Sequence, residues 1–197
     1  MVHFITPLYR YNNVKIIYSS IVHQINEFRW HLIEGDNRIG DESLDFLEKD
    51  DRVIHYKIKT YHPWGHEQRN YFITDILGNS EDWCYFLDDD NIVTGDFVSE
   101  VLNYENQNYD VILFAQKKGL TEIKRLHALE GHMSLNNCDI GSFAIKYSII
   151  KKTIIPHIHE RCADGYYCEQ ISRMDEIKIK YLDNKFVRYN SLSLQIH

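Results

Sequence analysis

The chain has 197 residues, enough for one domain of ordinary size, and an apolar fraction of 44% that can supply a core. It carries 29 acidic residues against 22 Lys plus Arg, a formal charge of −7. This balance argues against a nucleic-acid partner, which needs a basic face. The apolar stretch Val2–Leu8 is too short for a signal peptide, lacks a basic leader and contains Pro7. Nothing approaches the ~20 apolar residues that cross a bilayer. The four cysteines, Cys84, Cys138, Cys162 and Cys168, show no CxxC spacing and are expected to be reduced thiols in a cytoplasmic protein.

Val2–Thr6 is a predicted buried strand, ended by Pro7. Val14, Ile17, Tyr18, Ile21, Val22, Ile25 and Phe28 recur at helical spacing. Trp30–Ile33 is a second strand, closing at Glu34-Gly35-Asp36-Asn37. A short helix over Ser43–Lys49 and a third strand over Arg52–Ile58 follow. Glu67–Leu77 is a predicted helix with Phe72, Ile73, Ile76 and Leu77 inward. Trp83–Leu87 is continuously apolar, as a strand covered on both faces should be. A helix over Phe97–Tyr104 and a strand over Val111–Ala115 complete the regular part. In the less regular remainder, Ser142–Tyr147 is a predicted strand and Tyr166–Met174 a helix. Ile177–Tyr189 is expected to form two strands joined near Asp183-Asn184. The alternation implies an α/β fold, a mainly parallel central sheet flanked by helices, with ligands at the carboxyl ends of its strands. With three prolines, nine glycines and no linker or repeat, the chain offers no place to divide it.

Asp88, Asp89 and Asp90 follow the most buried of these strands. Like charges so close repel and raise one another's pKa. A hard divalent cation, Mg²⁺ or Mn²⁺, would relieve that cost, taking carboxylate oxygens together with substrate phosphates. The alternative is a solvated acidic turn, which does not need three carboxylates directly after Phe86-Leu87.

Phe86-Leu87-Asp88-Asp89-Asp90-Asn91 resembles the DxD motif of nucleotide-sugar-dependent glycosyltransferases of the type A (GT-A) fold, in the form of the glucuronyltransferase-like members. His3–Arg10 is similar to their first strand and the loop that meets the nucleotide. Gln68-Arg69-Asn70 resembles their arginine-asparagine pair at a helix start. The resemblance implies a single glycosyltransferase domain, with residues 1–116 binding the nucleotide sugar and an irregular acceptor-side region over 117–197. It implies that Asp90 ligates the metal, with Asp88 and Asp89 meeting the ribose or the metal through water, and Asp88 a second candidate ligand. Thr6, Tyr9, Asp36 and Arg69 are the other expected nucleotide contacts. Asn137–Phe143 resembles an acceptor-side segment. Cys162–Tyr167 looks like the segment whose acidic residue acts as base in inverting members. Asp164 is the candidate base and Glu169 the reserve, although the fuller Glu-Asp pair of the family is missing and an Asp at a helix start is also an ordinary N-cap. His157 and His159, which share one face of an extended segment, are left out of the metal site.

The expected activity is therefore metal-dependent transfer of a sugar, with an inverting outcome expected, from a UDP-sugar to a hydroxyl acceptor in glycan synthesis. A haloacid-dehalogenase-type phosphatase also uses Asp-x-Asp, but after its first strand and with Thr or Val where Ile92 stands. A sugar-nucleotide pyrophosphorylase would need a glycine-rich opening that is missing here. A domain that binds nucleotide sugar or glycan without turnover is the third alternative. The sugar, the acceptor and the oligomeric state are not readable from the sequence.

Overall fold

The computed structural model describes residues 1–25, 27–40, 42–61, 64–118, 121–123, 133, 138–156 and 163–192. Their elements run β1 (Val2–Arg10), α1 (Val14–Ile21), β2 (Phe28–Ile39), β3 (Val53–Lys57), α2 (His66–Asp75), β4 (Trp83–Phe86), β5 (Ile92–Val93), α3 (Phe97–Leu102), β6 (Val111–Lys118), β7 (Thr121–Ile123), β8 (Phe143–Lys146), α4 (Tyr147–Ile150), α5 (Ala163–Ser172) and β9 (Ile179–Arg188). The described strands form one sheet in the order β3-β2-β1-β4-β8-β6-β9-β5, with β7 beside β6. The β3-β2-β1-β4 half is parallel, whereas β8 joins β4 and β6 antiparallel.

Alternation along β1 sends neighbouring side chains to opposite faces, so the sheet separates two apolar layers. Phe4, Trp30, Tyr85 and Phe114 pack beneath α1 and α3. Ile5, Ile33, Phe86 and Phe143 pack beneath α2, α4 and α5. Phe97 of α3 is a hub of the first layer, with ring centroids 5.7 Å from Phe4, 4.8 Å from Tyr85 and 5.4 Å from Phe114. Cys84 and Cys168 are buried in the second layer, and Cys84, Cys138 and Cys168 are free thiols.

Several boundaries differ from the sequence expectation for identifiable reasons. β1 continues through Pro7 instead of ending there. Leu87 N donates to Ile5 O, so by alternation the amide that Pro7 lacks would face β4's side, where β4 has already ended. Proline therefore removes no ladder bond. α1 stops at Ile21, leaving Ile25 85% exposed. Phe28 belongs instead to β2, opposite Val2. β2 runs on to Ile39, past the expected turn. α2 ends at Asp75, so Leu77 is exposed while Phe72, Ile73 and Ile76 are buried. The expected hairpin after Ile177 is one strand, β9, which absorbs its irregularity as a register shift opposite Phe114 and Gln116.

The second layer also holds a polar chain. His3 Nε2 lies 3.1 Å from Asp82 Oδ2, and His3 Nδ1 lies 2.9 Å from His31 Nε2. A proton on His3 Nε2 faces the carboxylate, which leaves Nδ1 to accept from His31. Burial lowers the pKa of His3 despite Asp82 and, with the charge of His3, brings His31 down to about 3. Unfolded histidines take up protons near pH 6.5 while this folded His31 does not, so its contribution is lost as pH falls from 6.5. Urea unfolding of wild type and His31→Phe at pH 7.5 and pH 5 should show the stability gap moving about 2 kcal/mol in favour of the variant. A gap independent of pH would reject this account.

Candidate active site

The three aspartates occupy the turn after β4, at the carboxyl end of the parallel strands, and their environments differ sharply. Asp89 is directed into the protein. Its Oδ2 accepts from the backbone N–H groups of Tyr9 and Arg10, both at 2.7 Å, and its Oδ1 pairs with the Arg10 guanidinium. Asn13 Nδ2 donates to Asp89 O at 2.8 Å. Burial still raises its pKa, with Arg10 opposing. Both carboxylate oxygens are thus spent on the end of β1, and Asp89 holds the loop rather than reaching toward a ligand.

Asp88 pairs with Arg69 of α2. The Arg69 Nη1 also donates to Trp64 O at 3.2 Å. Asp90 Oδ2 lies 3.4 Å from Arg10 Nη1. Burial, followed by the charge of Asp88, raises the Asp90 pKa to about 6. A cavity of about 190 Å³ opens over the three aspartates, walled by Tyr9, Arg10, Trp64, Arg69 and Asn190. Tyr9 supports that wall from behind, its hydroxyl accepting from Gly65 N and Gln68 Nε2, both at 2.8 Å.

Asp164 stands in the first turn of α5. Its Oδ1 is shielded from solvent and has no hydrogen-bond partner among the described residues. Burial raises its pKa to about 7; Arg69 lowers it, whereas Asp139 and Asp88 raise it and a bond from the Ile140 backbone lowers it. Asp164 is therefore electrostatically coupled to Arg69 and Asp88. Asp139 caps the 3-10 turn Ile140–Ser142 in a capping box, accepting from Gly141 N at 2.8 Å. The C-terminal segment closes the site: Asn190 N donates to Asn91 Oδ1 at 2.7 Å and Leu192 N to Asp90 O at 3.1 Å. Tyr189 is pushed up to about 12 by burial and then by Asp139, Asp88 and Asp90.

Of the residues expected from sequence, Tyr9, Arg69, Asp88, Asp89 and Asp90 thus border one cavity, and Asp164 lies outside its lining but is coupled electrostatically to Arg69 and Asp88. Thr6 does not join them. It is fully buried, and its hydroxyl accepts from Trp30 Nε1 at 2.9 Å. Asp36 lies on the exposed extension of β2, where Oδ2 accepts from Thr60 N at 2.9 Å and its own N donates to Thr60 Oγ1 at 3.0 Å. Glu169 pairs with Arg173, one turn on along α5, at 3.1 Å. Asn137, His157, His159 and Cys162 lie outside the described residues.

Arg10 borders the cavity, and Asp139 and Tyr189 are coupled electrostatically to its carboxylates, but none of the three was singled out from sequence. Arg10 could have been found as the one basic residue of the quoted first-strand segment. Asp139-Ile140-Gly141-Ser142 has the spacing of a capping box. For Tyr189, a hundred residues from the aspartates, no local signal exists.

Asp89 and Asp90 should behave oppositely when the metal-free protein is unfolded in urea at pH 8. Asp89→Ala strands two backbone donors and the Arg10 charge, with an expected cost of about 3–5 kcal/mol. Asp90→Asn removes a disfavoured charge, with an expected gain of about 1–2 kcal/mol. Equal losses in both variants would contradict the division of roles.

No protein-family model matches the chain, and no curated protein sequence matches it. Solved structures do resemble it. Residues 1–349 of S. aureus TarS superpose with a TM-score of 0.75 at 15% identity, over 95% of this chain and 59% of that one. The mannosyltransferase PcManGT from Pyrobaculum calidifontis, solved with GDP-Man and Mn²⁺, gives 0.63 at 10% identity, over 93% and 55%. The 4-diphosphocytidyl-2C-methyl-D-erythritol synthase from Anaerococcus prevotii gives 0.58 at 12% identity, over 97% and 88%. The chain therefore spans less than two thirds of the first two neighbours. At these identities the likeness establishes architecture, and that architecture is the type A glycosyltransferase fold.

Proposed function

We propose that this chain transfers a sugar from a nucleoside diphosphate donor, UDP being the expected nucleotide, to a hydroxyl group of a glycan or similar acceptor. The observation that carries the reading is the division among the carboxylates that border the cavity of about 190 Å³: both oxygens of Asp89 are bonded to the end of β1, whereas neither Asp88 nor Asp90 is bonded in that way by the backbone of the described residues. The raised pKa of Asp90 marks a charge that the protein alone does not neutralise.

The donor set suits Mn²⁺ or Mg²⁺. Among the described residues no three His, Cys, Asp or Glu side chains are grouped to hold an ion by themselves. Two carboxylates completed by substrate phosphates are an ordinary arrangement for such cations. Asp90 and Asp88 would hold the ion, which when bound stabilises the charge that grows on the departing diphosphate. Arg69, already paired with Asp88, adds a permanent positive charge on the same side.

Asp164 is the proposed base. A pKa of about 7 suits proton transfer at neutral pH. The acceptor oxygen bonds to the anomeric carbon as the bond from that carbon to phosphate breaks. The electron pair leaves with the nucleoside diphosphate, and the acceptor proton passes to Asp164. Attack from the side opposite the leaving group inverts the anomeric configuration. Glu169, paired with Arg173, has no part in this scheme. A phosphatase route would require Asp88 as a free nucleophile, and its pairing with Arg69 argues against that.

Calorimetric titration with UDP, GDP and their sugar conjugates should show Mn²⁺-dependent binding that EDTA and Asp90→Ala abolish. Absence of binding to every nucleotide would overturn the reading. Once a donor and an acceptor are in hand, kcat/KM should rise with pH to a plateau above about 7, because Asp164 must be ionised. Asp164→Asn should lose at least roughly a hundredfold in rate while donor affinity is retained. A variant that keeps most of its activity would remove Asp164 as the base.

A further inference from the structure

Trp30 and Trp83 are fully buried, whereas Trp64 is 55% exposed. A single exposed apolar residue ordinarily needs no explanation, and Ile25 and Leu77 are more exposed still. Trp64 differs from them in having its backbone held beside the cavity of the three aspartates. Its carbonyl accepts from Arg69 Nη1 at 3.2 Å, and the next amide, Gly65 N, donates to the Tyr9 hydroxyl at 2.8 Å. Gly65 has φ +77°, and a Cβ there would come within 2.9 Å of Pro7 Cβ, so only glycine allows the chain to approach so closely. The backbone beneath the indole is thus fixed from both sides, and the residue borders the same cavity as Asp88, Asp89 and Asp90.

An aromatic side chain carried on a fixed backbone at the rim of a polar cavity suits a flat or ring-shaped ligand group. Which end of the donor meets it follows from Asp164. That carboxyl is not part of the cavity lining and accepts a bond from the Ile140 backbone, in the turn that leads into β8. Gly65, by contrast, is tied to Tyr9 of β1, and β4, which the aspartates follow, lies between β1 and β8 in the sheet. A donor whose diphosphate lies at Asp88 and Asp90 must direct its sugar toward the base, which leaves the nucleoside for the other flank. Asp36, expected from sequence to meet the base, is instead bonded to Thr60 on the exposed end of β2. We infer that Trp64 is a specificity-determining residue on which the donor's nucleobase stacks. The inference rests on the donor reading above and goes beyond it by assigning the base to a residue that the sequence pattern did not mark.

The test is tryptophan fluorescence of the full chain titrated with UDP and with GDP in Mn²⁺, for wild type, W64F and W64A, with calorimetry alongside. In wild type either nucleotide should quench or shift the emission. W64F should bind within about threefold of wild type but lose that optical change, since Trp30 and Trp83 are buried. W64A should weaken binding roughly tenfold to a hundredfold, more for the larger purine of GDP than for UDP. W64A binding both nucleotides as tightly as wild type would overturn the inference. So would an emission that responds to UDP-glucose but not to saturating UDP, which would assign the indole to the sugar. Binding by wild type in either case leaves the donor reading standing. Absence of calorimetric binding by wild type would overturn both.

Discussion

One carboxylate organises the candidate site without being available to it. Asp89 takes two backbone N–H groups and a guanidinium from the end of β1, and so ties the turn after β4 to the loop after its neighbour. Those two strands pair from Val2 and Trp83 only as far as Ile5 and Phe86. Beyond that point the sheet itself no longer sets their spacing, and Asp89 does. Asp88 and Asp90, on either side of that tie, border the same cavity.

The site is accordingly assembled from parts with opposite energetic signs. Buried, multiply bonded groups such as Asp89 and Asn13 contribute order. Asp90 and Asp164 are held with their pKa values raised, which means that their charged forms cost free energy in the folded protein. Strain of this kind persists where a ligand is expected to relieve it. Arg69 lies between these groups, and its burial is tolerable because several acidic groups surround it.

Much of the first half was legible in the sequence because its signals are local. A continuous apolar run identified β4, helical spacing identified α1 and most of α2, and three aspartates marked the turn. Most of what was lost depended on partners distant in the chain. Pro7 seemed to end β1 because the early departure of β4 cannot be seen locally. Thr6 resembled a nucleotide contact until Trp30 claimed its hydroxyl. Asp36 resembled another until β2 extended past it and Thr60 bonded to it. Glu169 was plausible by composition, but its distance round α5 from Asp164 put it beside Arg173. β5 is two residues long and exists because β9 offers it a ladder, a reason that no window over Ile92-Val93 contains.

The bond from Asn190 N to Asn91 Oδ1 spans 99 positions of the chain. Together with Leu192 N on Asp90 O, it means that the aspartate turn is anchored by the segment that follows the last described strand as well as by the first strand. On a ribosome, β1 to β4 emerge long before β9, so the parallel half can form while the turn is still held from one side only. A fragment ending before β9 would retain the whole acidic motif and lose its second anchor. Sequence motifs alone would then overstate what such a fragment can bind.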